Sequence, residues 1–366
     1  MSRATHLHRL YNATSPYSTC AQDAAFVTLI ANETYVEGAL CLRKSLHRVG
    51  SACPLVLVVA DPLPAAAMMQ LDTAFHPSNI RKLSDLRRRV DRYEQRLLRQ
   101  SVEGAAVPPL QGGLASDGAS SRRMQQLDAA APIKSTRQLQ RARGWARRTH
   151  QKLLLFALQG YRRAAFLDID MLVVRNIDAL LEVAPFAAVA ALPYSTRSFN
   201  SGVFVFEPSL STAAALDDLS MRATFGKAST PAAGGDRATP SKIRISGAGE
   251  RFQLSDQSIL NHHFRDRWQP LPFGYNMGVK VRHAAPKLWA RVEVAVVHFV
   301  HRPKPWEGSL AEPHSPMSRL ADRMGIEPLV RAWRWHCLGG PRGNVTLPMD
   351  APLFLASSSP PHRERA

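Results

Sequence analysis

The sequence predicts an α/β fold, a doubly wound and mostly parallel sheet flanked by helices. Three observations carry this. The chain opens with a strand–helix–strand unit. Short apolar, β-rich runs then alternate with stretches of helical periodicity. No internal repeat appears, and two low-complexity segments interrupt the pattern without replacing it.

The opening unit comes first. Ala25–Ala31 is apolar and β-rich and predicts a buried strand, ended by Asn32 and Glu33. Tyr35, Ala39, Leu40, Leu42 and Leu46 recur at helical spacing up to Gly50, and Pro54–Ala60 is a second strand stopped by Asp61-Pro62. Two strands joined this way pair in parallel through a crossover. Pro64–Phe75 and residues 81–100 predict helices, the second with a heavily charged outer face. Residues 101–136 are rich in Gly, Ala, Ser and Gln and predict a disordered loop. Arg137–Gly160 is expected to be helical and to lead into the apolar run Phe166–Val174. Asn176 predicts the cap of a short helix through Leu181, Phe186–Leu192 is another apolar run, and Phe199–Phe206 is a strand entered through a polar turn. Residues 225–250 form the second low-complexity segment. Phe252–Phe264 predicts a helix capped by Ser255, and Val292–Val300 is the last apolar run. Prolines are dense after Trp306, and the tail from Ser357 is polar.

The organisation expected is a flexible arm over residues 1–23, a main domain over 24–310 with insertions at about 81–145 and 222–250, and a C-terminal extension over 311–366. The 366 residues, 45% hydrophobic, supply a sizeable core and contain no apolar run long enough to span a membrane. Met1–Tyr17 is polar and shows no apolar export signal. Cys20, Cys41, Cys53 and Cys337 lack zinc-type spacing, so they are expected to be thiols in a reducing, cytoplasmic setting. Without an export signal, the glycosylation acceptor patterns at Asn12, Asn32 and Asn344 are expected to be chance matches. Net charge is +18, and residues 81–150 hold 16 Lys/Arg against 6 Asp/Glu. The excess sits mainly in one segment, which favours a basic insertion over a nucleic-acid-binding core and ranks nucleic acid last among the partners.

Chemistry centres on Phe166-Leu167-Asp168-Ile169-Asp170-Met171-Leu172-Val173. In an extended chain Asp168 and Asp170 point to the same side. Two close carboxylates inside an apolar run need a positive partner, and a hard divalent cation with oxygen ligands, Mg²⁺ or Mn²⁺, supplies one. The pair is equally compatible with one solvent-facing Asp and one helix cap after a strand.

Six segments, in order from Phe26 to Trp306, together resemble glycogenin and its relatives, the family 8 retaining glycosyltransferases. They are Phe26-Val27-Thr28-Leu29 with Asn32 and Tyr35–Leu40; Phe166–Val173 with Asn176-Ile177-Asp178; Phe199-Asn200-Ser201-Gly202-Val203-Phe204-Val205; Asp256-Gln257 with Leu260-Asn261; Leu271-Pro272-Phe273 with Tyr275-Asn276; and Val297-His298-Phe299 with Lys304-Pro305-Trp306. The resemblance implies a Rossmann-like nucleotide-sugar transferase domain, a UDP-sugar donor (UDP-glucose or UDP-galactose), and Mn²⁺ with Mg²⁺ as second candidate. It implies Asp168, Asp170 and His298 as metal ligands. Lys304 and Lys152 would contact the donor, and Ile169 would lie at it between the two aspartates. Leu29, Asn32 and Tyr35 would hold uracil and ribose, and Asn200, Ser201 and Gly202 would face the donor sugar. Asp256 and Gln257 would lie beneath the sugar ring and, with Lys304, act in catalysis. Arg143 falls where a further family arginine would stand.

The chain departs from the family at several places. Ala31 replaces a common Thr. His301 stands where a Gly is usual and is expected to crowd the phosphates. Leu254-Ser255 replaces a Gly-Gly pair, and Gln253 replaces an Asp. Between Asn276 and Val297 there is no tyrosine, so self-glucosylation at the glycogenin-type position is not expected. A separate acceptor follows, a small polyol, a glycan or a protein. The alternative is a UDP-sugar-binding protein of the same fold with impaired turnover. The sequence leaves a homodimer open.

Overall fold

The structure, a computed structural model, describes residues 20–60, 62–104, 150–192, 195–225, 242–244, 251–253 and 255–339. The expected arm up to residue 19, most of both low-complexity segments, Arg143, Leu254 and the polar tail lie outside the described residues.

Strand β1 (Ala24–Ile30) leads through a capped turn into helix α1 (Val36–Arg48), then to β2 (Leu55–Val59), α2 (Ala65–Ala74), β3 (Ile80–Lys82) and α3 (Leu83–Gly104). After residue 150 come a 3-10 stretch (Gln151–Ala157), β4 (Arg163–Leu167), β5 (Met171–Val173), a 3-10 turn (Asp178–Glu182), β6 (Ala187–Ala190), β7 (Phe199–Phe206) and α4 (Leu210–Phe225). The remainder is β8 (Lys242–Arg244), β9 (Arg251–Gln253), α5 (Asp256–His263), β10 (Gln269–Leu271), a 3-10 turn (Phe273–Asn276), β11 (Met277–Gly278), α6 (Val279–Ala284), α7 (Pro286–Arg291), β12 (Val296–His298), α8 (Pro316–Met324) and α9 (Glu327–Leu338).

Seven strands form the main sheet in the order β10-β6-β7-β4-β1-β2-β3. The β1–β2, β1–β4, β2–β3 and β6–β10 pairs are parallel, and β7 runs antiparallel to both β4 and β6. The sheet is therefore mixed and mostly parallel, as expected. Both its faces are covered. Phe26, Leu57, Leu167 and Val205 face α1 and α2, while Val27, Val58, Phe166 and Phe204 face the 3-10 stretch, α4 and α5. Burial on both faces is why these strands are unbroken apolar runs.

The reversal of β7 matters for function. Its first residues lie beside the carboxyl end of β4, with Leu167 opposite Val203 and the Asp168 amide donating to the Gly202 carbonyl at 2.9 Å. Asn200, Ser201 and Gly202 thus reach the same edge as Asp168. Leu29 arrives there too, because Val27 pairs with Phe166 and both strands run on in parallel. That edge is where open α/β sheets bind ligands.

A small second sheet, β11-β12-β5, stands beside this edge. A third apolar cluster packs α8 and α9 against it and α1 through Leu172, Val297, Phe299, Leu320, Leu329 and Trp333.

Four local expectations are corrected. Asp168-Ile169-Asp170 does not sit in one extended strand: β4 ends at Leu167, the chain turns, and β5 restarts in the other sheet. The described end of the predicted 137–160 helix is 3-10. Leu153, Leu154, Leu155, Phe156 and Ala157 are consecutively buried, and one α-helical stripe would cover only some of them. Phe252 and Gln253 pair in β9, so the helix starts only at Asp256, with Ser255 capping it. The cysteines are not thiols. Cys20 is bonded to Cys53 and Cys41 to Cys337, with Cα separations of 5.0 and 4.7 Å. Sequence spacing alone could not show this, because the partners are 33 and 296 residues apart. Among the described residues, no helix is long and apolar enough to cross a membrane.

Candidate functional site

The turn after β4 and the end of β12 bring three side chains together. Ligand atoms of Asp168, Asp170 and His298 all lie within 4.8 Å of one another. His298 Nε2 is 3.2 Å from Asp170 Oδ1 and 3.7 Å from Asp168 Oδ2. The antiparallel pairing of β12 with β5, His298 opposite Met171, sets this approach. Gly202 permits it: a Cβ there would stand 2.6 Å from His298 Cε1.

Each carboxylate's other oxygen is held by a lysine. Lys152 Nζ lies 3.0 Å from Asp168 Oδ1 and 3.0 Å from Asp256 Oδ2. Lys304 Nζ lies 2.5 Å from Asp170 Oδ2 and donates to the Phe299 carbonyl at 2.7 Å. One oxygen of each aspartate and one imidazole nitrogen therefore converge on one point. That donor set, hard oxygens with one imidazole, fits a divalent cation such as Mn²⁺ or Mg²⁺.

The electrostatics agree. Burial works against the Asp170 charge, but His298 and Lys304 hold its carboxyl well below the usual range. Asp168 is pushed up, burial being the main cause with Asp170 adding to it, although Lys152 pulls the other way. Burial opposes the Lys152 ammonium, yet Asp168 and Asp256 raise it above its ordinary value. Asp256 is lowered against its burial by Lys152 and Ser201.

The expected sugar-side residues form one hydrogen-bonded group. Ser201 Oγ donates to Asp256 Oδ2 at 3.1 Å, and Asn200 Nδ2 and the Ser201 amide donate to Gln257 Oε1 at 3.1 and 3.2 Å. Asp256 and Gln257 hold their places as the first residues of α5, fixed by the Ser255 cap. Asn261, one turn on, grips the Phe199 backbone through both its oxygen and its nitrogen.

The nucleotide-side residues lie on the β1–α1 turn. The Asn32 side chain accepts from the Thr34 amide at 3.1 Å. Tyr35 meets Trp306 edge to face at 5.9 Å, and Trp306 Nε1 donates to the Thr34 carbonyl at 2.8 Å. Gly38 lets α1 close against the site, since a Cβ there would stand 2.8 Å from the Ile169 carbonyl and 2.9 Å from Trp306 Cη2. Ile169 itself is buried in the core beneath the turn.

Three residues without an expected role organise the site. Asn276 bonds both His298 and Asn200, with 2.8 Å on each side. Glu307 accepts from the Lys304 amide at 2.8 Å, and Arg302 joins Glu307 to the Tyr35 hydroxyl, which it meets at 2.9 Å. Asn276 stood within a recognised segment, but its sequence carries no sign of its contacts. His301 does not crowd the site. Its side chain lines a cavity of about 10 Å³ with Phe299, Met317, Leu320 and Val330, on the side of α8 and α9. Burial, with Lys280, Lys304 and Arg323 adding to it, lowers its pKa to about 4, so it is neutral there.

The profile of Glycosyl transferase family 8 matches residues 241–309, the part carrying Asp256, Gln257, Asn276, His298 and Lys304. Glycogenin-1 of Caenorhabditis elegans is 27% identical over 295 residues, which is 78% of this chain and 52% of that protein. The chain thus spans about half the length of that relative. Galactinol synthase 1 of Solanum lycopersicum is 24% identical, over 84% of this chain and 80% of that protein. The structure of the glycosyltransferase GlyE of Streptococcus pneumoniae superposes with a TM-score of 0.47 and 14% identity, covering 86% of this chain and 61% of that one. In sequence the chain is thus similar to glycogenins and galactinol synthases, and over residues 241–309 to the family 8 glycosyltransferases.

Proposed function

We propose that the protein is a retaining, metal-dependent hexosyltransferase that takes its sugar from a UDP-sugar, UDP-glucose or UDP-galactose, and passes it to a separate acceptor. The observation that carries this reading is the convergence of Asp168, Asp170 and His298 between the buried Lys304 and the partly buried Lys152. A divalent cation bound there, Mn²⁺ or Mg²⁺, supplies positive charge against which a diphosphate can leave.

The chain's own residues do the rest. Asp168 and Asp170 offer hard oxygens at a fixed separation. Lys304, pinned by Asp170 and the Phe299 carbonyl, holds a permanent charge beside the place of the leaving diphosphate. Leu29, Asn32 and Tyr35 orient the nucleoside, Tyr35 as part of an aromatic and cationic cluster with Trp306 and Arg302. Asn200, Ser201, Gly202, Asp256 and Gln257 present polar groups to the sugar, and the Asp256 carboxylate steadies positive charge building at the anomeric carbon. Its lowered pKa keeps it ionised for that task. Positioning and charge stabilisation thus account for most of the enzyme's share.

The reading of impaired turnover rested on His301 and Gln253. The first ground falls away with His301 turned into the C-terminal cluster. For the acceptor, a small polyol, a glycan or a protein all fit an enzyme without a tyrosine between Asn276 and Val297. The cytoplasmic setting rested on the lack of a visible export signal and on free thiols. With all four cysteines paired, an oxidising compartment is the better fit.

The test is turnover of UDP-glucose and UDP-galactose by the purified chain, followed by UDP release and by intact mass. The expected result is slow Mn²⁺-dependent UDP release, loss of at least about 100-fold in Asp168→Asn, and no hexose added to the protein. UDP binding without release from any UDP-sugar would favour the impaired alternative. Hexose increments on a tyrosine would overturn the separate acceptor.

A further inference from the structure

Asn276 sits between His298 and the sugar-side residues, and it is buried, 5% exposed, as is His298 at 4%. Every amide orientation in this group follows from two backbone N–H groups, which can only donate. The Gly202 amide lies 2.9 Å from the Asn200 side chain, so that atom is the oxygen, Oδ1. The Ser201 amide lies 3.2 Å from the Gln257 side chain, so that atom is Oε1. Asn200 Nδ2 then donates to Gln257, which agrees with its oxygen facing Gly202. Asn200 Oδ1 has its second neighbour in Asn276 at 2.8 Å, and an acceptor requires a donor, so this atom of Asn276 is Nδ2. The remaining atom of Asn276 is Oδ1, and it lies 2.8 Å from His298 Nδ1. An acceptor there requires Nδ1 to carry a proton. Nε2 is the nitrogen that faces Asp170 Oδ1 at 3.2 Å and Asp168 Oδ2 at 3.7 Å, and it is the one left to ligate a cation bound between them.

We propose that Asn276 is a positioning residue that fixes the tautomer and ring orientation of His298, relayed from the Gly202 backbone through Asn200. The proposal rests on the metal-site reading above and gives that site its outer hydrogen-bonded support. The turn carrying Asn276 is itself held by close approach: a Cβ on Gly274 would stand 1.9 Å from the Glu293 carbonyl, and the Ala295 amide donates to the Gly274 carbonyl at 2.9 Å. Asn276 is therefore delivered by backbone contacts and not by its own side-chain bonds.

Two measurements on the full chain test this. The first is the Mn²⁺ affinity of the wild type, Asn276→Ala and Asn276→Asp, by calorimetry, with circular dichroism and melting as controls of folding. Asn276→Ala is expected to bind Mn²⁺ about 10–100-fold more weakly. Asn276→Asp keeps an acceptor for Nδ1–H but loses the donor to Asn200 Oδ1, and is expected to recover part of that loss. Equal affinity in a folded Asn276→Ala overturns the proposal. The second is the ¹⁵N spectrum of the histidine side chains in the metal-free chain at alkaline pH. His298 is expected as the Nδ1–H tautomer in the wild type and as a mixture in Asn276→Ala. If the wild type binds no Mn²⁺, the metal reading fails, and the spectrum alone decides the tautomer. An Nε2–H tautomer in the wild type overturns the proposal.

Discussion

Lys304 is 4% exposed, a depth at which an ammonium persists only with a partner, and it has Asp170 at 2.5 Å. Removing one member of such a pair leaves the other buried and costs about 3–5 kcal/mol. Loss of activity in Asp170→Asn therefore mixes chemistry with stability. Asp168, with its side chain 27% exposed, is the cleaner residue to test. His301 gives a prediction of another kind. Its folded pKa of about 4 lies below the ordinary 6.5, so the unfolded chain takes up a proton between these values that the folded chain refuses. Stability should therefore fall as pH drops from about 6.5 towards about 4. His301→Gln should flatten that fall without abolishing it, because His263 and His336 are lowered by burial in the same sense. Melting curves at pH 7 and pH 5 measure the difference, and an unchanged slope contradicts it. At this scale the sequence exposed the charged residues and hid their surroundings. Asp168 and Asp170 stand out by type and spacing, and His298 and Lys304 through the family resemblance, whereas the direction of His301 and the contacts of Asn276 depend on residues far away in the chain.

At the scale of elements, the site is an accident of strand direction put to use. Because β7 alone in the main sheet opposes its neighbours, its amino end lies beside the carboxyl end of β4, which is itself next to that of β1, and the sugar-side and nucleotide-side residues share one edge. Apolar runs revealed where the strands are. They carry no sign of direction, so the reversal was not legible. The Asp168–Asp170 segment shows the same limit. A run of apolar residues around two aspartates predicts one strand, and the chain instead turns between two sheets. The carboxylates still converge, through the turn and His298 and not through the alternation of an extended strand. Glycines set the close contacts. Gly202→Ala should push His298 away, since its Cβ would stand 2.6 Å from the ring, and the expected outcome is a loss of Mn²⁺ affinity of about 10-fold or more with the fold retained. Calorimetry measures it, and wild-type affinity would show that His298 does not depend on this approach.

At the scale of the whole molecule, the carboxy-terminal helices brace the site. Arg334 on α9 donates to the Pro305 and Gly308 carbonyls at 2.9 Å each, and Trp333 packs on Trp306 at 5.3 Å. Both grip the loop that carries Lys304. Cys41–Cys337 ties α9 to α1, and Cys20–Cys53 ties the start of β1 to the approach to β2. Cys337→Ala should lower stability by about 2–4 kcal/mol and should weaken UDP binding through the loosened loop. Denaturant unfolding and calorimetry measure these, and an unchanged unfolding midpoint would argue that the bond is dispensable. The alternation of strands and helices was legible across the chain because burial on two faces writes itself into composition. The cross-links were not, because pairing at a separation of 296 residues is a property of the folded chain alone.

The central claim is that Asp168, Asp170 and His298 anchor a diphosphate through a divalent cation. Calorimetric titration of UDP into the metal-stripped chain, with and without Mn²⁺, tests it most directly. The account predicts UDP binding that strengthens by about 10-fold or more with Mn²⁺ and loses that gain in Asp168→Asn. UDP binding of equal strength in both conditions, or unaffected by Asp168→Asn, would contradict it.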